Sequence, residues 1–187
     1  MDYGRSLLIT LPELILSVGG LVLLLWSAWS GAKAMRGASI AAVALLVGAG
    51  FAALGFTGDA FGGLYSGDQF SDFAHVLIYI AAAISLMIAP KFFDRQGLAR
   101  AEYPVLVIYA CVGMGMMVSA TDFLTLYIGL ELNSLAAYVL ASFLRTDERS
   151  AEAGLKYFVL GALASGILLF GMSLVYGFTG STSFAAV

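Results

Sequence analysis

The sequence predicts an all-α fold, a polytopic transmembrane helix bundle with six membrane-crossing helices. Three observations carry that prediction. Of the 187 residues, 61% are hydrophobic and only 11% are charged, with a mean hydropathy of +0.96. Soluble domains carry about 25% charged residues, and a chain this short cannot hide so much apolar surface from water. The apolar residues also come in long blocks, six of which approach the ~20 residues needed to cross a ~30 Å hydrocarbon core. Finally, Lys and Arg gather in alternate connections between those blocks, the pattern that sets membrane orientation.

The first block runs from about Leu7 to Trp29. Pro12 suits a first helical turn, and Thr10 and Glu13 have the spacing of a capping box. The second, from about Ala38 to Thr57, carries no charge. The third runs from about Phe73 to Pro90, the fourth from about Pro104 to Ala120 and the fifth from about Asp122 to Leu144. The sixth runs from about Ser150 to Gly177. Ser119, Thr121 and Asp122 are candidate caps for the fifth helix. The longest gap, "GDAFGGLYSGDQFSD", is rich in Gly and Asp and reads as a solvated loop, with no metal-ligand spacing among Asp59, Asp68 and Asp72. No linker or second domain is visible, so residues 1–187 read as a single membrane domain. Inverted structural repeats leave weak sequence traces, and their apparent absence decides nothing.

Seven of the nine basic residues (Lys33, Arg36, Lys91, Arg95, Arg100, Arg145 and Arg149) fall on one side of this arrangement. That predicts an N-terminus outside the cytoplasm. Trp26 and Trp29 precede Lys33, where an interfacial aromatic belt is expected. The N-terminus lacks the basic start and small-residue cleavage site of a signal peptide, so the first block reads as a retained span. No basic run suggests nucleic acid. A single cysteine, Cys111, excludes an internal disulfide and a cysteine-based metal site.

Glu131 is the residue that the membrane makes costly. It stands fourteen residues before Arg145, about 21 Å from that end of the helix. An acid at the centre of a spanning helix costs about 2.5–3.5 kcal/mol. Tyr127, Glu131, Ser134, Tyr138 and Ser142 are spaced four, three, four and four apart. They form one polar stripe on an apolar helix, suited to carrying protons through hydroxyls and water. The competing reading is a neutral carboxyl that only hydrogen-bonds neighbouring helices. Lys156, about 9 Å into the sixth helix, has Glu152 one turn before it, in the favoured order for an i, i+4 pair. It is either a snorkelling lysine or a second proton carrier. The two sites differ in height by roughly 10 Å, so a direct salt bridge between Glu131 and Lys156 is not expected. His75, near the outer face after Asp72, reads as an interfacial residue, with a proton-exit role as the lesser alternative. Gly161/Ser165, Ala162/Gly166 and the Gly113/Gly115 pair read as close-packing positions.

The runs "TDFLTLYIGLELNSLAAYVLASF" and "RTDERSAEAGLKYFVLGALASGILLFGMSLVYGFTGS" resemble subunit N of the bacterial proton-pumping NADH:quinone oxidoreductase, respiratory complex I. Its mitochondrial equivalent is subunit 2. The glutamate of "LEL" together with the "EAGLKYFVLGALAS" block separates that family from most other membrane families. The sister subunits M and L share the glutamate but fit the second block less well. The resemblance covers about a third of the chain closely. It implies an antiporter-like fold built from two inverted five-helix repeats, with half-channels meeting at buried charges. It also implies that Glu131 is the helix-five glutamate, which pairs with a lysine of helix seven, and that Lys156 is the lysine of the "LKYF" block. Family members are more than twice as long, so the resemblance is to their N-terminal part.

The implied function is proton translocation coupled to electron transfer from NADH to quinone in other subunits. The chain is then a non-redox subunit of the translocase. FMN, iron–sulfur clusters and quinone belong to other subunits, and no cofactor is expected here. The implied partners are other membrane-arm subunits, including sister antiporter-like subunits, and the lipid bilayer. The implied location is the bacterial cell inner membrane. The alternatives are a subunit of a cation/proton antiporter, marked by sodium dependence without NADH dependence, a related membrane-bound hydrogenase, and a purely structural bundle.

Overall fold

A proline sets the first break in the chain. The computed structural model describes residues 3–30, 34–96 and 99–187, and within them α1 (Tyr3–Ile9) gives way to α2 (Leu11–Ser30) at Thr10. Pro12 has no N–H to donate, and its ring crowds the carbonyl four residues earlier, so the single helix expected from Leu7 is divided there. The expected capping box does not form. The chain is already helical before Thr10, whose N–H and hydroxyl both bond to the Ser6 carbonyl at 3.1 Å. The Glu13 carboxylate therefore goes elsewhere. Lys33, counted with the basic residues of the first connection, lies outside the described residues.

Five further helices follow: α3 (Met35–Ala53), α4 (Gln69–Gln96), α5 (Glu102–Val118), α6 (Phe123–Ala141) and α7 (Glu148–Thr179). Among the described residues, α2, α3, α4, α6 and α7 are long and apolar enough to cross a membrane, while α5 has 17 residues and is about 26 Å long. Helix α4 runs past both expected ends. Its start is fixed by a reciprocal cap, in which Ser71 N–H donates to Asp68 Oδ1 at 2.7 Å and Asp68 N–H donates to Ser71 Oγ at 2.8 Å. Helix α6 starts at the Asp122 cap, whose carboxylate accepts from Thr125 N–H at 2.9 Å. It ends at Ala141 rather than Leu144, and α7 closes on Gly180 in the left-handed conformation (φ 69°).

Helix α5 is the hub of the bundle and packs against α2, α3, α4 and α6. Helix α3 meets it and its neighbours through a stripe of mostly small residues (Ala38, Ala42, Leu46, Ala49, Ala53), all buried, at spacings of four, four, three and four. Leu16, Leu46, Leu86 and Ile108 fill the centre and are fully enclosed. In lipid, apolar burial does not itself draw helices together, so close packing at small residues sets these contacts.

The gap read as a solvated loop holds a small hairpin. Strands β1 (Gly58–Ala60) and β2 (Tyr65–Gly67) pair antiparallel, with Ala60 opposite Tyr65. Phe61, Gly62 and Gly63 all take positive φ in its turn. The hairpin docks on the α5–α6 connection, where Ser66 N–H donates to Ser119 O at 2.8 Å and Thr121 N–H donates to Leu64 O at 3.3 Å. It closes one end of the bundle. Arg36, Lys91, Arg95, Arg100, Arg145 and Arg149 cluster near the helix ends at the other. There Arg36 pairs with Asp94, tying α3 to α4.

Candidate functional site in the α6–α7 pair

Helix α6 is about 28 Å long, and Glu131 stands near its middle, about 12 Å from the hairpin end. Its side chain is partly buried and accepts a hydrogen bond from the hydroxyl of Ser165 on α7, itself 8% exposed. A carboxylate at this depth is tolerated when a donor meets it inside the bundle, and Ser165 is that donor. The two helices run antiparallel in a fixed register. Gly161 lies against the Tyr138 ring, and Gly154 against Ser142. A Cβ on either glycine would overlap those side chains. Tyr138 is buried and stacks edge-on against Tyr157 and Phe158, with ring centres 4.8 and 5.6 Å away.

The other members of the stripe share the face but not a hydrogen-bonded chain. Tyr127 and Ser134 are partly buried on α6. Ser142 sits at the C-terminal cap of α6, because the helix stops short of its expected end. Its hydroxyl donates to the Tyr138 and Val139 carbonyls at 3.1 and 3.3 Å. Among the described residues, no hydrogen bond runs from one stripe side chain to another stripe side chain. Lys156 pairs with Glu152, as the spacing suggested, and both are well exposed, at 69% and 62% of their side chains. Ser165 and Lys156 are nine residues apart on α7, so Lys156 lies about 14 Å from the Glu131 level. The structure thus brings Glu131 to Ser165 and leaves Lys156 at the basic end.

Two arrangements escape the sequence reading. Ser165 looked like one half of a small-residue packing pair, and only the register of α6 against α7 gives it a carboxylate partner. Glu13 and His75 are the other case. They lie 62 residues apart and meet at 2.7 Å between Oε1 and Nε2, both buried. The structure buries His75 inside the protein, in the second turn of α4. The two glycines of "VGMGMM" explain how both sites fit around one helix. They are two residues apart, on opposite faces of α5. A Cβ at Gly113 would come within 2.5 Å of Asn133 N and 2.6 Å of Gly129 O on α6. A Cβ at Gly115 would come within 2.8 Å of both Glu13 Oε1 and His75 Nε2. Helix α5 is therefore a thin wall, with the helix of Glu131 on one side and the Glu13–His75 pair on the other.

A family described as NADH:quinone oxidoreductase/Mrp antiporter, transmembrane, matches residues 120–187, the segment that contains Glu131, Lys156 and Ser165. The NADH-quinone oxidoreductase subunit N of Rhizorhabdus wittichii is 62% identical over the whole of this chain, and that of Erythrobacter litoralis is 57% identical. In both cases the match covers 40% of the relative. The subunit N of Rhodobacter capsulatus is 48% identical over 96% of this chain and 38% of its own length. One chain in the solved structure of respiratory complex I from Thermus thermophilus with bound aureothin superposes with a TM-score of 0.74 at 32% identity, covering 92% of this chain and 38% of that one. The chain belongs to the NADH-quinone oxidoreductase subunit N family and spans about two fifths of the length of these relatives.

Proposed function

We propose that this chain is part of an antiporter-like, non-redox membrane subunit of NADH:quinone oxidoreductase. It takes part in proton translocation driven by electron transfer from NADH to quinone elsewhere in the complex. The observation that carries the reading is the Glu131 carboxylate at mid-helix, met by the Ser165 hydroxyl, within the segment the family match covers. A carboxyl group in low dielectric responds strongly to charges that move near it, because water does not screen them. Glu131 is the proton-handling group in this reading. Ser165 orients it, and Lys156 with Glu152 forms a charged pair toward the basic end. Tyr127, Ser134, Tyr138 and Ser142 line the connecting face, with water joining what their hydroxyls do not reach directly.

The chain contributes one membrane domain, with FMN, iron–sulfur clusters and quinone held by other subunits. Its partners are other membrane-arm subunits, including sister antiporter-like subunits. The cluster of arginines at one end of the bundle supports a multi-pass placement in the bacterial inner membrane, with the N-terminus on the periplasmic side. A cation/proton antiporter subunit is the second reading, since the matched family includes both kinds. The full-length relatives covering the whole of this chain favour the first. Removing the full-length subunit from its membranes decides between them. Loss of NADH-driven proton uptake supports the proposal. Normal NADH-driven uptake with lost sodium tolerance supports the antiporter.

A further inference from the structure

Glu13 enters from the first turn of α2, and His75 from the second turn of α4. Their side chains are 9% and 3% exposed. The tautomer is fixed by geometry. His75 Nδ1 lies 2.7 Å from the Ser71 carbonyl oxygen, which can only accept, so Nδ1 carries a proton and donates it. Nε2 then shares one further proton with Glu13 Oε1 across 2.7 Å. The pair is either imidazolium with carboxylate or imidazole with carboxylic acid. Both have zero net charge, which lowers the cost of burial, whereas either ion alone is costlier to bury and is held only for as long as the site lacks its proton.

The surroundings are built for exchange rather than for a closed structural bond. Glu13 Oε2, the Tyr79 hydroxyl and the Ser119 hydroxyl are all buried without a protein hydrogen-bond partner. Tyr79 stands against the His75 ring, 5.6 Å between centres. Buried polar atoms of this kind are satisfied by water. Toward the hairpin end, Tyr65 of β2 brings its hydroxyl near both Glu13 and Ser119, while Glu13 Oε2 and Ser119 Oγ remain without a protein partner. Burial first, and then the Glu13 charge, push the Tyr65 hydroxyl's pKa upward, so it stays protonated and acts as a hydroxyl donor. The other titratable groups around the pair are Asp72 on α4, with Asp68 beyond it, and Cys111 on α5 behind Tyr79. Gly115 supplies the room, since any Cβ there would press on the shared hydrogen bond.

We propose that Glu13 and His75 form a second proton-binding site of this subunit, which exchanges its proton with the hairpin end of the bundle past Tyr65 and Ser119 during turnover. In the exchange, the proton shared by Oε1 and Nε2 passes to water beside Ser119 and leaves neutral imidazole facing carboxylate. Rebinding a proton restores the pair. Across α5, the charge on this site acts on the helix that holds Glu131. The inference rests on the proton-translocating reading above.

The test uses the full-length subunit in its assembled complex, in sealed membrane vesicles. Glu13→Gln retains the hydrogen bond, because its amide donates to Nε2, but it cannot share a proton. The rate of NADH-driven proton uptake is expected to fall about tenfold or more, the loss that follows removal of a proton-transfer group. The pH profile of uptake is expected to change shape, and Glu13→Asp is expected to restore most of the uptake. Wild-type uptake with an unchanged pH profile in an assembled Glu13→Gln complex overturns the proposal. If that variant does not assemble, Tyr65→Phe carries the test, with lowered uptake expected and unchanged uptake overturning it. Glu131→Gln is measured in parallel. Normal pumping there sinks the translocation reading itself, while its loss beside a normal Glu13→Gln sinks only the second site.

Discussion

Replacing Gly113 by alanine adds one methyl group where α5 and α6 nearly touch. The new Cβ would lie 2.5 Å from Asn133 N, 2.6 Å from Gly129 O and 3.0 Å from Asn133 Cα. All three are backbone atoms, so no side-chain rotation relieves the overlap. An ordinary contact starts near 3.4 Å, and the two helices must therefore separate by about 0.9 Å. Overpacking of this kind costs about 1–3 kcal/mol. The better helix propensity of alanine returns up to about 1 kcal/mol. The net expectation is a loss of up to about 2 kcal/mol, and a gap of about 1–3 kcal/mol from a control that keeps only the propensity gain. Gly48→Ala is the matched control, because nothing lies within 4 Å of a Cβ there. It keeps the propensity gain without the clash. The assay is the denaturing-detergent midpoint of the full-length subunit for both variants. A Gly113→Ala protein as stable as Gly48→Ala would refute the close approach of α5 and α6. The same displacement shifts the helix of Glu131, so proton uptake is expected to drop with stability.

Two other outcomes follow from the site. Ser165→Ala removes the donor to Glu131 and leaves a partly buried carboxyl one hydrogen bond short. A bond to a charged group contributes about 1.5–3 kcal/mol, so NADH-driven proton uptake is expected to fall about tenfold or more in an assembled complex, with Ser165→Thr retaining most of it. Lys156→Ala breaks an exposed i, i+4 pair, and thermal stability of the subunit is expected to change by less than about 0.5 kcal/mol.

The helices were legible because lipid demands about 20 apolar residues in a row, a length of apolar block that soluble folds seldom contain. Their ends were less so. Pro12 split the first block, and Asp68 with Ser71 began α4 before the apolar run starts. The hairpin was missed because its strands are three residues each, and their partners lie on the α5–α6 connection. Glu131 was legible from its cost alone. Its partner was not, since Ser165 takes that role only through the α6–α7 register. Glu13 read as a cap and His75 as an interfacial residue for the same reason. Each is locally ordinary, and the chemistry appears only when α2, α4 and α5 pack together. The Gly113/Gly115 pair was seen as a packing signal, but the opposite faces it serves belong to tertiary structure.

The most direct measurement of the central claim is Glu131→Gln in the full-length subunit, within its assembled complex. NADH-driven quinone reduction and proton uptake into sealed vesicles are recorded together. The amide keeps the size of the side chain and accepts from Ser165 as the carboxylate does, but it cannot take up a proton. Proton uptake is expected to fall, and coupled quinone reduction to fall with it. Wild-type values for both, in a complex shown to be assembled, would contradict the claim and leave Glu131 as a tolerated structural carboxylate.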